Sequence, residues 1–261
     1  MRKIIYALLI MLLCIGIIYS LTRKPGLSKI ESDTRALVRA IIQKEQPAAK
    51  AKEEVKRPER VGEKIAYDVK LGKISLGKAK YSHLPNVELD GKPAIHMTFE
   101  TRLTRFSDIE NIYSDPDTFL PLKIERAISS WPLSEEIFEL YDQKNFTLTI
   151  TKHKSGKGRQ RTIKKDSPIH NAIMLPFYVR RMEEIDAGWS MTVNLPNQKF
   201  EIKFVSMEDV AVPAGSFKAY HFKSAPERFE VWVSADERKI PVKIKGNGAL
   251  GYTLVMREYS I

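Results

Sequence analysis

The chain has 261 residues, 43% of them apolar and 29% charged, with a formal net charge of +11 and one cysteine. That is enough chain and apolar content for one or two domains with a sizeable core. The lone cysteine, Cys14, excludes an intramolecular disulfide and any multi-cysteine metal site.

Arg2 and Lys3 precede an uncharged run rich in Ile and Leu over residues 4–21. As a helix it would span about 27 Å, close to the hydrocarbon thickness of a bilayer. We expect residues 1–21 to be an N-terminal transmembrane helix, an uncleaved signal anchor with its amino end in the cytoplasm. A cleaved signal peptide is the alternative; the long core and the poor site at Ile18-Tyr19-Ser20 count against it. Lipid attachment at Cys14 is a third, opposed by the bulky Leu13 before it. The expected location is the bacterial cell envelope, anchored in the inner membrane and facing the periplasm, or free in the periplasm if the segment is cleaved. Residues 22–61 read as a charged tether. Ser28 and Glu31 form a capping box, and Ile30, Leu37, Val38 and Ile41 follow at helical spacing, so a short amphipathic helix is expected before Pro47.

Residues 62–261 read as a β-rich domain. Ile65, Tyr67, Val69 and Leu71 alternate up to a tight turn at Gly72-Lys73, and Asp90-Gly91 is a further hairpin turn. Strands follow over residues 93–103, 109–113, 122–130, 135–141 and 146–151, and a hairpin through Gly156 and Gly158 returns the chain. One helix is expected over residues 169–181. Ser167 is its cap, Pro168 its first residue, and Pro176 its kink. Strands at 189–195 and 200–207 lead to residues 208–245. There Phe229, Val231 and Val233 share one strand face, and Ile240, Val242 and Ile244 share another. Leu250, Tyr252, Leu254 and Met256 form the last strand. About a dozen strands with frequent turn signals predict a mainly β fold. We expect a single curved antiparallel sheet, an open or half barrel, with the kinked helix on its concave face.

Four segments carry a family resemblance. Residues 62–79 (GEKIAYDVKLGKISLGKA), 176–181 (PFYVRR), 212–220 (VPAGSFKAY) and 229–244 (FEVWVSADERKIPVKI) resemble the bacterial exported proteins grouped as domain of unknown function 3108. The resemblance implies an envelope location and an open antiparallel sheet like that of bacterial lipoprotein carriers. It implies no activity and transfers no binding residue.

Catalytic signatures are missing from the sequence. There is no nucleophile elbow, phosphate-binding loop, dinucleotide fingerprint or His-Glu-x-x-His. The five histidines have no ligand spacing, and no metal or cofactor is expected. Asp108, Glu110, Asp115 and Asp117 are the sole candidates for paired carboxylates, and turn formation accounts for the last two. The electrostatic feature is a hairpin in which Lys152, Lys154, Lys157, Arg159, Arg161, Lys164 and Lys165 occur with no acidic residue among them. It is a candidate contact for anionic lipid or an acidic glycan. Nucleic acid is not expected, because the anchor places the domain outside the cytoplasm. Phe177, Tyr178, Trp189 and Trp232 are candidate liners of an apolar ligand site on the concave face. The expected role is non-catalytic: binding of a lipophilic or anionic envelope ligand, with the membrane as partner through the anchor. A scaffold contacting a protein or glycan through the basic hairpin is the alternative, and a hydrolase the outsider.

Overall fold

Short connections force consecutive segments to fold back on one another, and the architecture follows from that. The computed structural model describes residues 60–154, 156–182, 185–246 and 251–261. The predicted anchor and tether helix lie outside the described residues, as does Leu250. The chain divides into two units after Lys56, and the second, Arg57–Ile261, is compact. Every residue of the described core lies between Ile65 and Met256, so the second unit encloses its own core, as an independently folding domain does.

That unit is one fourteen-stranded antiparallel sheet. Eight strands come first: β1 (Lys64–Leu71), β2 (Ile74–Leu89), β3 (Lys92–Leu103), β4 (Phe106–Ser114), β5 (Pro121–Ser130), β6 (Leu133–Asp142), β7 (Thr147–Lys154) and β8 (Lys157–Lys164). A helix, α1 (Leu175–Arg180), precedes six more: β9 (Ser190–Asn194), β10 (Lys199–Val212), β11 (Gly215–Ala225), β12 (Phe229–Ser234), β13 (Pro241–Gly246) and β14 (Thr253–Ser260). Within β1–β8 and within β9–β14 each strand pairs with its sequence neighbours, and β14 pairs with β1. The two meanders are thereby joined, with β8 and β9 left as edges that do not meet. The sheet is open, as the strand pattern predicts.

The helix is shorter than its sequence spacing suggests. It starts at Leu175 behind Met174, so Ser167 and Pro168 belong to an irregular segment before it, and Pro176 does not kink it. The physical reason is that proline has no N–H to donate. Its cheapest place is the first turn, where that group lacks a helical partner in any case. Pro176 therefore sets the start of the helix.

Directly opposed residues define the two faces of the sheet. Ile65, Tyr67, Val69, Tyr81, Met97, Phe99, Leu254, Ile244, Val231 and Phe222 fall on one face, linked by the pairings across β3, β2, β1, β14, β13, β12 and β11. The helix packs on this face. Phe177 stacks on Tyr81 at 4.1 Å, and Tyr178 meets Phe119 edge-on at 5.7 Å. Arg180 donates to the backbone carbonyl of Arg238 at 3.1 Å. Phe119 follows β4 and Arg238 follows β12, and six strand spacings separate those strands, about 29 Å in a flat sheet. One helix about 10 Å across touches both, so the sheet curls around it.

A buried ion pair holds the helix down. Arg180 donates two hydrogen bonds to the Glu63 carboxylate, at 2.6 and 2.5 Å, and Glu63 is 0% exposed. Tyr67 adds a buried hydrogen bond from its hydroxyl to the Pro241 carbonyl at 2.9 Å, tying β1 to β13. The cost of burying both charges is offset because each finds strong, two-pronged partners.

Candidate functional site

Phe177, Tyr178, Trp189 and Trp232 do not converge. Phe177 and Tyr178 are buried in helix packing, and the Tyr178 ring also meets His170 edge-on at 5.2 Å. Trp189 precedes β9 and packs edge-on against Phe222 at 5.3 Å. Trp232 lies on the opposite face of the sheet, because its neighbours Val231 and Val233 point into the helix-side core. There it is sandwiched between His221, stacked at 4.2 Å, and the Lys243 ammonium, 4.1 Å from its ring centre. It shares no pocket with the other three.

The surroundings of Trp232 form a tight polar network. Its indole N–H donates to Glu208 at 3.0 Å. One nitrogen of His221 lies 2.8 Å from Glu208 and the other 3.0 Å from Glu230. The Trp232 N–H, the Ser206 hydroxyl and His221 hold the Glu208 carboxyl down at about 2, against the opposing effect of its burial. Lys245 reaches Glu230 at 2.7 Å. These groups satisfy one another, which makes the network a fastening across β10, β11, β12 and β13.

The basic hairpin is more ordered than its composition suggests. Cross-strand pairs place Lys152 opposite Arg159, Ile150 opposite Arg161, Leu148 opposite Ile163, and Lys154 opposite Lys157. Pairing through β6, β5 and β4 carries this face back to Ile112 and Met97, on the helix side. Five of the seven predicted cations (Lys152, Lys154, Lys157, Arg159 and Arg161) therefore share the helix-side face. Lys164 points to the other face, and Lys165 lies past the strand, its N–H bonded to the Phe146 carbonyl at 2.9 Å. Among the described residues, the one ion pair made by the five is Lys152 with Glu135, at 3.3 Å.

Successive rungs of this arm show a gradient. The rung nearest the helix segment is Tyr141, Leu148 and Ile163, with the first two buried. The next is Glu139, Ile150 and Arg161, then Ile137, Lys152 and Arg159, and finally Glu135, Lys154 and Lys157. The face runs from apolar and covered to cationic and open within four rungs, about 20 Å of strand. Closer to the sheet centre, Arg126 pairs with both Asp108 and Glu110, the latter at 3.3 Å. Asp108 and Glu110 thus come together on the helix-side face, clamped on one arginine, whereas Asp115 and Asp117 lie in the turn after β4. Asp115 caps that turn, accepting from the N–H of Thr118 at 2.7 Å. Burial pushes the Glu110 carboxyl up to about 7, more than Arg126 lowers it. Arg126 was detectable from sequence only through register, since nothing in its local pattern sets it apart.

The architecture defines a class: an open, curled antiparallel sheet with a helix seated in the curl and one charged arm extending past it. Solved structures of similar outline exist. A β-barrel-like protein of domain of unknown function DUF1849 from Brucella abortus aligns over 77% of this chain and 98% of its own, with a TM-score of 0.45 and 10% identity. An exported protein with a YmcC-like fold from Bacteroides fragilis aligns over 78% and 98%, at 0.29 and 12%. A protein described as a lipoprotein, from Parabacteroides distasonis, aligns over 78% and 97%, at 0.28 and 11%. These likenesses are too distant to carry an argument about ligand or partner. No curated protein matches the chain. Residues 66–257 match the family described as protein of unknown function DUF3108, and the chain belongs to that family.

Proposed function

We propose that this is a non-catalytic protein of the bacterial cell envelope that binds an anionic amphiphile on the helix-side face of β5–β8. The observation that carries the reading is the gradient along β7 and β8. Leu148 and Ile150, both buried, and the part-exposed Ile163 mark where the core ends, and Arg161, Arg159, Lys154 and Lys157 lie beyond it on the same face. A ligand with an acyl chain and an acidic head matches that order of chemistry. Support for the envelope location comes from the basic, then apolar, N-terminal sequence. Support for a binding role comes from Asp108, whose carboxylate is taken up on both oxygens by Arg126.

The test uses the Arg57–Ile261 unit and short-chain phosphatidylglycerol below its micelle concentration, with short-chain phosphatidylcholine as the neutral control. Calorimetry should show binding of the anionic lipid alone. Two cations at about 1 kcal/mol each predict at least about a thirtyfold loss for the R159E/R161E variant. Equal affinity for both lipids, or an unaffected variant, would sink the reading. A second reading has one observation behind it: β8 is an edge strand, exposed on both faces, to which an extended partner segment with acidic side chains could add. Binding of an acidic peptide in place of lipid by the parent, lost in R159E/R161E, would favour it.

A further inference from the structure

The antiparallel register places four hairpin tips at one end of the sheet. Leu71 pairs with Ile74, Leu103 with Phe106, Ser130 with Leu133 and Lys154 with Lys157, each at the end of its hairpin. These tips carry Lys73, Arg105, Lys154 and Lys157, and residues 71–74, 103–106, 130–133 and 154–157 include no acidic residue. They also carry exposed apolar side chains: Trp131 at 77% exposure, Ile74 at 65% and Leu133 at 44%. The opposite end of the same strands is different. Its turns at residues 90–91, 115–120 and 142–146 hold Asp90, Asp115, Asp117 and Asp142 against the single cation Lys144. Strands β1 to β8 are polarised along their length, with apolar and cationic tips at one end only.

Register also sets how far the tips reach. Glu135, not Leu133, pairs with Lys154, so the Trp131 tip extends two residues past the tip of β7–β8, about 7 Å. An indole at a projecting tip, flanked by leucine and by cations without acids, suits the boundary between lipid headgroups and acyl chains. The ring is amphipathic, and the cations meet acidic headgroups. Core packing does not account for Trp131: it is absent from the described core, whereas Trp189 and Trp232 are both covered by neighbours.

We propose that this end of the sheet docks on an anionic bilayer surface, with Trp131, Leu133 and Ile74 at headgroup depth and Lys73 and Arg105 on acidic headgroups. This surface is separate from the ligand face of β7 and β8, although Lys154 and Lys157 border both, so those two are left unaltered in the test. The Arg57–Ile261 unit is mixed with vesicles of equal parts phosphatidylglycerol and phosphatidylcholine, and with vesicles of phosphatidylcholine alone. Flotation reads binding, and tryptophan emission reads burial of Trp131. The unit should float with the anionic vesicles only, with a blue shift in emission. W131S/L133S should lose the shift and weaken partitioning at least about tenfold. K73E/R105E should weaken it comparably at low salt, and its difference from the parent should shrink as salt is raised. All four altered side chains are exposed, and melting curves of the variants should overlay the parent's. Failure to bind anionic vesicles would overturn the proposal. So would binding that W131S/L133S retains and R159E/R161E abolishes, because the vesicles would then be held by the ligand face. Titration of the tip variants with monomeric short-chain phosphatidylglycerol separates the two ideas: retained affinity there leaves the ligand reading standing whatever the vesicles do.

Discussion

Replacing Glu110 by Gln should change how stability depends on pH in a way that can be worked out in advance. Glu110 is on the helix-side face of β4, buried, with Arg126 at 3.3 Å, but that arginine is already gripped by both oxygens of Asp108. Burial therefore dominates, and the folded carboxyl titrates at about 7 where the ordinary value is 4.5. Between those values the folded protein holds a proton that the unfolded chain has released. Unfolding then releases a proton, so stability falls as pH rises. The stabilising contribution of protonated Glu110 is fully present below about pH 4.5 and gone once the pH has passed about 7. The gap corresponds to about 3 kcal/mol as an upper bound. E110Q cannot titrate, and every other group cancels in the comparison. Urea unfolding at pH 4 and pH 8 should show E110Q gaining on the parent by up to about 3 kcal/mol at the higher pH. A difference that stays flat would mean that Glu110 is not desolvated as the packing implies. A difference of opposite sign would mean that the Arg126 ion pair, and not burial, governs the site.

Arg180→Met should destabilise the domain by up to about 3–5 kcal/mol, because it leaves the fully buried Glu63 carboxylate with only the longer ion pair to Arg60 at 3.7 Å, and adding Glu63→Gln should recover most of the loss. A double variant no more stable than the single one in urea melts would show that packing, and not charge, fixes the helix. Gly77→Ala should cost about 1–3 kcal/mol, since a Cβ there would stand 2.1 Å from the Arg102 carbonyl oxygen and force β2 away from β3. Hydrogen exchange should quicken first in those two strands, and a change within about 0.5 kcal/mol would refute the clash.

Much of the sheet is readable in the sequence because local chemistry decides it. Gly72-Lys73 and Asp90-Gly91 set two turns, and alternation fixes which residues share a face. Ile169, Ile173 and Phe177 recur at helical spacing and so suggest a longer helix, yet the chain turns helical only where Pro176 can sit in a first turn. The seam between β1 and β14 joins Asp68 to Val255 across 187 residues, and no local rule anticipates that pairing. The position of Trp232 is legible in the alternation: if Val231 and Val233 face the core, the residue between them faces away. The site followed the same division. Seven cations in one hairpin are visible in the sequence, but the fact that five of them look toward the helix depends on register carried through six strands.

That register also separates two explanations for the basic arm. An edge strand needs charge to discourage pairing with other chains, and for that purpose either face will do. β8 does not distribute its charge in that way. Lys157, Arg159 and Arg161 take one face, while Gly158, Gln160 and Thr162, all uncharged, take the other up to Lys164. The adjacent strand repeats the asymmetry, with Lys152 and Lys154 on the helix side and Thr149, Thr151 and His153 behind. Protection of the edge explains why cations are present on β8. It does not explain their segregation on two strands toward the face that continues into Leu148 and Tyr141, where the buried core begins. A ligand with an acidic head and an apolar body requires that segregation, and solubility alone does not.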